Sequence, residues 1–376
     1  MSLALPQELI ERAENVTGLS DFGPEGWREG FLRLVEVMSA RDFGDAAPAR
    51  IERRFVDVLA RRLRIEDWLT RNPEVLDQRV DRPVFILGLP RTGTTALQAF
   101  LANDPQWRYL RDWEVQDPVP PPDILTEQSD PRMLAERARL LGDNHIAQSL
   151  HIAEAGGPVD DSDVLRLDFR NQELGWPASA YTRWWRDCDM STAYAYHARL
   201  LKLLQSRWPP RRWLVKAPWH NFHIDTLAEQ YPDALFVMCH RDPAKVIPSV
   251  ASLLCAVHRG FLGADASPPE EVGAFVLEHL SIGIQRVLDF REKHGAERFI
   301  DVRHRCFNAD PFGTTAHLYK WLGLSLSEAA RADMQAWLGR NRRGAHGEHS
   351  YTAEEFGLDA QRIRAVFARY VEAFEL

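Results

Sequence analysis

The chain has 376 residues, 45% of them hydrophobic and 27% charged. That balance excludes disordered, collagen-like and disulfide-scaffold classes and suits one large α/β unit with an elaborated end, or two domains. Its 54 acidic and 46 basic residues leave a formal charge of −8 with no Lys/Arg block, which argues against nucleic acid or an anionic membrane as partner while permitting a local anion site.

Four cysteines, Cys188, Cys239, Cys255 and Cys306, lie far apart without a C-x-x-C pair, so neither a zinc site nor a disulfide framework is encoded. The first ten residues lack a basic and apolar leader, and no apolar run reaches bilayer length; a cytoplasmic location is the expectation.

In chain order, residues 5–70 carry helical periodicity, as in Phe31, Leu34, Val35 and Met38 and again in Phe55, Val58, Leu59, Arg62 and Leu63. A helical extension over 1–80 is predicted ahead of an α/β domain over 81–376. Pro83 opens the apolar run Val84-Phe85-Ile86-Leu87, of the kind found in strands buried on both faces. Trp213–Val215, Leu235–Met238 and Phe299–Val302 read the same way, with helix-like segments such as 222–230 and 275–290 between them. Strands alternating with helices predict a doubly wound α/β fold with a central parallel sheet. A long insertion, about 104–210, separates the first two strands and is expected to form a helical wall on the ligand side. Its Trp176, Trp184 and Trp185 suit a flat or lipophilic ligand, and also suit plain core packing.

The strongest chemical signal follows the first strand: Gly88-Leu89-Pro90-Arg91-Thr92-Gly93-Thr94-Thr95, then a helix-compatible run. A buried strand, a glycine turn and a hydroxyl-bearing helix start make an anion cradle, because unpaired amides and the helix dipole point at one spot. The spacing matches the first half of a nucleotide-binding P-loop. Thr94 stands where a nucleoside triphosphatase needs lysine, which disfavours ATP or GTP hydrolysis. Arg91 within the loop supplies a planar cationic fork suited to phosphate or sulfate.

A second basic element ends the strand at Leu235: His240-Arg241-Asp242-Pro243, with Ser249 eight residues after Arg241. The carboxyl end of a parallel strand is where doubly wound sheets place ligand contacts. His-Arg-Asp also opens the protein-kinase catalytic loop, but Ile247 stands where that loop needs asparagine. Two loops with anion donors suggest a ligand carrying two separated anionic groups.

These residues resemble the sulfotransferase superfamily, in particular the bacterial branch whose phosphosulfate loop reads Pro-Arg-Ser/Thr-Gly-Thr-Thr. Arg241 and Ser249 are similar to that family's second signature. Leu214-Val215-Lys216-Ala217-Pro218-Trp219-His220, Asp310-Pro311 with Tyr319–Gly323, and His349-Ser350-Tyr351 with Phe356-Gly357-Leu358 also have family character. The likeness runs from about residue 83 to the C-terminus. It implies a P-loop-like, three-layer α/β fold with a central parallel sheet, and transfer of a sulfuryl group from 3'-phosphoadenosine 5'-phosphosulfate (PAPS) to a hydroxyl or amine of a small-molecule acceptor, without a metal. By the same resemblance Pro90, Arg91, Thr92, Gly93, Thr94 and Thr95 would hold the phosphosulfate, and Arg91 with the loop amides would stabilise charge developing on the bridging oxygen. Arg241 and Ser249 would bind the 3'-phosphate, Lys216 would assist at the phosphosulfate, and Arg342 and Arg343 would be further donor contacts.

In-line transfer needs a base for the acceptor proton, and histidine has a suitable pKa. His151 is the first candidate, since a His ahead of Pro158-Val159-Asp160-Asp161 is similar to the branch's His followed by Pro-Glu-Glu. Asp160 would orient it or act as base itself, and His145 and His220 are alternatives. His220, His223 and His240 lack the accompanying ligands of a metal site, and Asp160, Asp161 and Asp163 lack the spacing of a calcium loop and read as a solvated turn. A P-loop-type phosphotransferase and an inactive protein that only binds 3'-phosphoadenosine nucleotides are the competing functions.

Overall fold

A computed structural model of the chain describes residues 3–41, 47–142, 154, 156–171, 179–262, 267–341 and 351–376. The predicted N-terminal helices form as α1 (Pro6–Thr17), α2 (Trp27–Ser39) and α3 (Ala47–Arg71). The apolar stripes of α2 and α3 are buried: Phe31, Leu34, Val35 and Met38 pack in one cluster with Phe55, Val58, Leu59 and Leu63. Arg62 interrupts that stripe and is nevertheless fully buried. Its guanidinium donates to the carbonyls of Phe22 (2.8 Å), Pro24 (2.6 Å) and Leu167 (2.9 Å) and lies 3.8 Å over the Tyr196 ring. A buried arginine is tolerated when its donors find partners, and this one ties α3 to the insertion.

The sheet runs in the order β2-β3-β1-β4-β5, all parallel. Its strands are β1 (Val84–Gly88), β2 (Trp107–Arg108), β3 (Arg212–Lys216), β4 (Leu235–His240) and β5 (Phe299–Arg303). Four of them are the runs expected from the sequence. The fifth, β2, lies inside the insertion and was not anticipated, because two residues carry no readable period.

Side chains alternate between faces along each strand. Phe85, Leu87, Val215, Phe236 and Met238 join the cluster that contains the N-terminal helices, whereas Val84, Ile86, Leu214, Val237 and Ile300 join a second cluster on the other face. Both faces are covered, which explains the unbroken apolar runs and gives the three-layer architecture. The insertion contributes helices Pro131–Gly142, Ser162–Arg166, Ser179–Asp187 and Ser191–Gln205. Among the described residues no helix is long and apolar enough to cross a membrane.

Candidate active site

β1 is central, and the loop after it opens at the carboxyl edge of the sheet. Gly88 (φ +129°) pairs with Cys239 of β4, and a Cβ on Gly88 would stand 2.4 Å from the Cys239 carbonyl oxygen. Only glycine allows the two backbones to approach this closely. Leu89 to Gly93 then turn into α4 (Thr94–Leu101), with Arg91 (φ +66°) and Gly93 (φ +90°) in left-handed conformations. A non-glycine residue in that region stores strain of the kind that collects at binding loops.

No side chain caps α4, and its first internal bond runs from Leu97 N–H to the Gly93 carbonyl. The amides at its start are therefore left without helical partners, which is the property that lets helix N-termini bind anions. Thr92 differs from its neighbours: its buried hydroxyl donates to the Leu89 carbonyl at 2.7 Å, so its side chain braces the loop from within. Pro90, Arg91, Gly93, Thr94 and Thr95 line the cleft.

The second basic element stands beside the first. Arg241 Nη1 donates to the Arg91 carbonyl (2.8 Å), and Arg91 Nε donates to Ser249 Oγ (3.3 Å), so the two loops are joined through the residues singled out for anion binding. Register accounts for this: Cys239 lies opposite Gly88, and two residues further each strand has entered its loop. Helix Pro243–Leu262 follows at once and carries Ser249. The adjoining His240 is buried and lies 2.8 Å from Asp301 Oδ1 through Nε2. Burial alone would raise the Asp301 carboxyl, but hydrogen bonds from Arg291 and His240 outweigh it and hold the group below its ordinary range.

Lys216 ends β3 on the opposite side of the loop. Its Nζ donates to Thr95 Oγ1 (3.4 Å) and lies 3.5 Å from Asp160 Oδ2. Asp160 reaches this place because the insertion doubles back along the sheet edge, with Val159 N–H bonded to the Leu110 carbonyl and Asp161 N–H to the Lys216 carbonyl. Arg91, Asp160, Lys216 and Arg241 therefore share one cleft of about 510 Å³.

The acidic turn is not the solvated one expected from the sequence. Asp160 is half-buried in the cleft, whereas Asp161 is fully buried and points the other way, into the protein. Asp161 Oδ2 accepts from His220 Nε2 (2.7 Å) and His197 Nε2 (3.1 Å). Burial would raise this carboxyl, but the charge and hydrogen bonds of the two imidazoles overcome it and hold the group well below the carboxylate range. The other nitrogen of His220 faces Tyr194 OH at 2.9 Å. With both ring nitrogens engaged and no exposed surface, His220 is placed away from an acceptor. His151, His145, Arg342, Arg343 and Trp176 lie outside the described residues. Among the described residues no group of three or more His, Cys, Asp or Glu side chains is arranged to hold a metal ion.

The apolar lining comes from elsewhere than expected. Trp185 is buried in the core against Phe222 and His223, and Trp184 packs on the same cluster. Lining the cleft instead are Trp219 and one stripe of helix Pro243–Leu262, Val250, Leu253, Leu254 and Val257. That spacing is one helical face, so the stripe was readable, but nothing in the sequence distinguished it from core. His304, directly after β5, also lines the cleft and packs on the loop: a Cβ on Gly93 would meet its ring at 2.9 Å. The signal for His304 was its place, the residue after a buried strand on the same sheet edge as Arg241.

Comparison with known proteins agrees with this arrangement. The sequence profile of the sulfotransferase family matches residues 83–328. The omega-hydroxy-beta-dihydromenaquinone-9 sulfotransferase Stf3 of Mycobacterium bovis is 27% identical over 323 residues, 78% of this chain and 74% of that protein. The crystal structure of sulfotransferase STF9 from Mycobacterium avium superposes with a TM-score of 0.92 at 31% identity, covering 100% of this chain and 97% of that one. That of sulfotransferase STF1 from Mycobacterium tuberculosis H37Rv gives 0.84 at 29% identity, covering 98% and 99%. The chain belongs to the sulfotransferase family.

Proposed function

We propose that this member of the sulfotransferase family transfers the sulfuryl group of PAPS to a hydroxyl, or an amine, of a small apolar acceptor. The observation that carries the reading is the joining of two elements rich in anion donors: the loop Pro90–Thr95 at the start of α4, and Arg241, which shares its cleft and bonds the Arg91 carbonyl, with Ser249 bonded to Arg91. A donor with a 5'-phosphosulfate and a 3'-phosphate has two anionic ends to match them. The missing Walker lysine counts against a phosphotransferase that works on triphosphates.

In this reading the loop amides and the hydroxyls of Thr94 and Thr95 hold the phosphosulfate, with Arg91 adding charge. Arg241 and Ser249 take the 3'-phosphate, and Arg342 and Arg343 are further donor contacts. Lys216, within reach of Thr95, stabilises the charge that develops on the bridging oxygen as the S–O bond to phosphate breaks. The acceptor oxygen forms the new bond to sulfur and its proton leaves to a base. Two groups are proposed for that proton: Asp160, which stands in the cleft beside Lys216, and His151, seven residues before Pro158. No step requires a metal.

The stripe Val250, Leu253, Leu254 and Val257 with Trp219 supports an apolar acceptor. Stf3, which by its name acts on omega-hydroxy-beta-dihydromenaquinone-9, supports a hydroxylated one. The test is transfer from sulfur-radiolabelled PAPS to a panel of apolar alcohols, phenols and amines. Labelled sulfate ester or sulfamate that depends on Lys216 supports the reading; donor binding without transfer to any acceptor would favour the inactive nucleotide-binding protein. Asp160→Asn and His151→Ala then separate the two bases by which of them abolishes turnover.

A further inference from the structure

Behind the Lys216–Asp160 pair lies a buried polar cluster that the transfer step does not use. Asp161 offers one oxygen, Oδ2, to both His220 and His197, and each imidazole reaches a tyrosine through Nδ1: Tyr194 at 2.9 Å and Tyr231 at 2.7 Å. Nε2–H of each imidazole donates to the carboxylate, and each Nδ1 is paired with a tyrosine hydroxyl. All five side chains are buried. They come from separate stretches of the chain: the insertion turn, helix Ser191–Gln205, the segment Pro218–His223 that follows β3, and Tyr231 just ahead of β4.

Buried charge is expensive, and well-packed apolar side chains commonly serve stability as well or better. A charged cluster at this point is better explained by what it holds in place. Asp161 is the chain neighbour of Asp160, and its N–H bonds the Lys216 carbonyl at 3.2 Å. His220 adjoins Trp219, which lines the cleft, and Asn221, whose Nδ2 donates to the Gly88 carbonyl (3.0 Å) and whose Oδ1 faces Gly88 N–H (3.4 Å). The cluster thus fastens Asp160, Lys216 and the start of the phosphate loop to one another from the core side. It makes no contact with Arg241 or Ser249 in the hydrogen bonds of Asp161, His197 and His220.

We infer that Asp161 is a positioning residue for the sulfuryl end of the cleft, acting through the backbone of Lys216 and the adjoining Asp160, and leaving the 3'-phosphate end unaffected. The inference rests on the donor orientation proposed above. Its test is calorimetric titration of the full chain with adenosine 3',5'-bisphosphate and with adenosine 3'-monophosphate, which keeps the 3'-phosphate and lacks the group at the sulfuryl end. Asp161→Ala weakens the bisphosphate about tenfold, the scale of one misaligned charge-assisted hydrogen bond, and changes the monophosphate by less than about twofold. Asp161→Asn, which retains an oxygen for both imidazoles but drops the charge, shows a smaller loss in the same sense and decides the matter should the alanine variant not fold. In a Lys216→Met background Asp161→Ala costs little more, because the ammonium group whose placement it fixes is gone. Equal losses for both ligands, no loss for either, or full additivity with Lys216→Met would overturn the inference. Wild-type protein that binds neither nucleotide would overturn the donor reading, and this inference with it.

Discussion

Replacing Arg241 with alanine removes two things at once. The first is the 2.8 Å bond from Nη1 to the Arg91 carbonyl, which joins the two loops; a solvent-accessible bond from a guanidinium to a neutral carbonyl contributes about 1 kcal/mol net. The second is the guanidinium proposed for the 3'-phosphate, a charge-assisted contact worth about 2–3 kcal/mol. Together they amount to about 3–4 kcal/mol, or two to three orders of magnitude in affinity for adenosine 3',5'-bisphosphate at about 1.4 kcal/mol per tenfold. Calorimetry with adenosine 5'-monophosphate as control isolates the second contribution, because that ligand lacks the 3'-phosphate and should lose only the smaller part. Arg241→Lys retains the charge without the planar fork and should fall between. A loss of less than about threefold for the bisphosphate, or the same loss for both ligands, would refute the assignment of Arg241 to the 3'-phosphate.

Other consequences follow from individual contacts. Gly88→Ala places a Cβ 2.4 Å from a backbone oxygen at φ +129°; strain and overpacking together should cost about 2–6 kcal/mol, read as a lower denaturation midpoint, and a change under about 1 kcal/mol would contradict the β1–β4 geometry. Burial, helped by nearby arginines, pushes His223 and His279 down to about 3 from the ordinary 6.5. Between those values the unfolded chain binds the proton and the folded chain does not, so their contribution to stability is complete above pH 6.5 and is lost as pH falls towards 3. His279 stacks on Phe222 and Phe275, so His279→Phe should fit and should reduce the slope of stability against pH in that window by about one proton; an unchanged slope would count against it. Burial pushes the Cys188 and Cys239 thiols up to about 12, while Cys306 is exposed; mild alkylation at pH 8, followed by mass spectrometry, should label Cys306 before either of them.

The parts of the fold that were legible in the sequence are those where one physical requirement dominates. Strands buried on both faces must be continuously apolar, so Val84–Leu87 and Leu235–Met238 stood out, and amphipathic α2 and α3 declared themselves by period. The strand-to-helix turn from Gly88 to Thr95 was legible because its glycines mark backbone conformations and close approaches that other residues resist, as Gly88 and Gly93 both show. Long-range geometry was not. Nothing local distinguishes Asp160 from Asp161, yet one faces the cleft and the other is fastened to two histidines, one 36 and the other 59 positions away. Arg62 stands in an otherwise apolar stripe, and only the carbonyls of Phe22, Pro24 and Leu167 that the fold brings around it account for its burial. The apolar side of the cleft, Val250 to Val257, has the pattern of any core-facing helix, and only the open space beside the loop marks it as lining.

The most direct test of the central claim is a calorimetric titration of the wild-type chain with adenosine 3',5'-bisphosphate alongside ATP. The account predicts a single site that takes the bisphosphate and discriminates strongly against ATP, because the cleft offers Arg241 to a 3'-phosphate and no Walker lysine to a triphosphate. No binding of the bisphosphate, or equal preference for ATP, would contradict it.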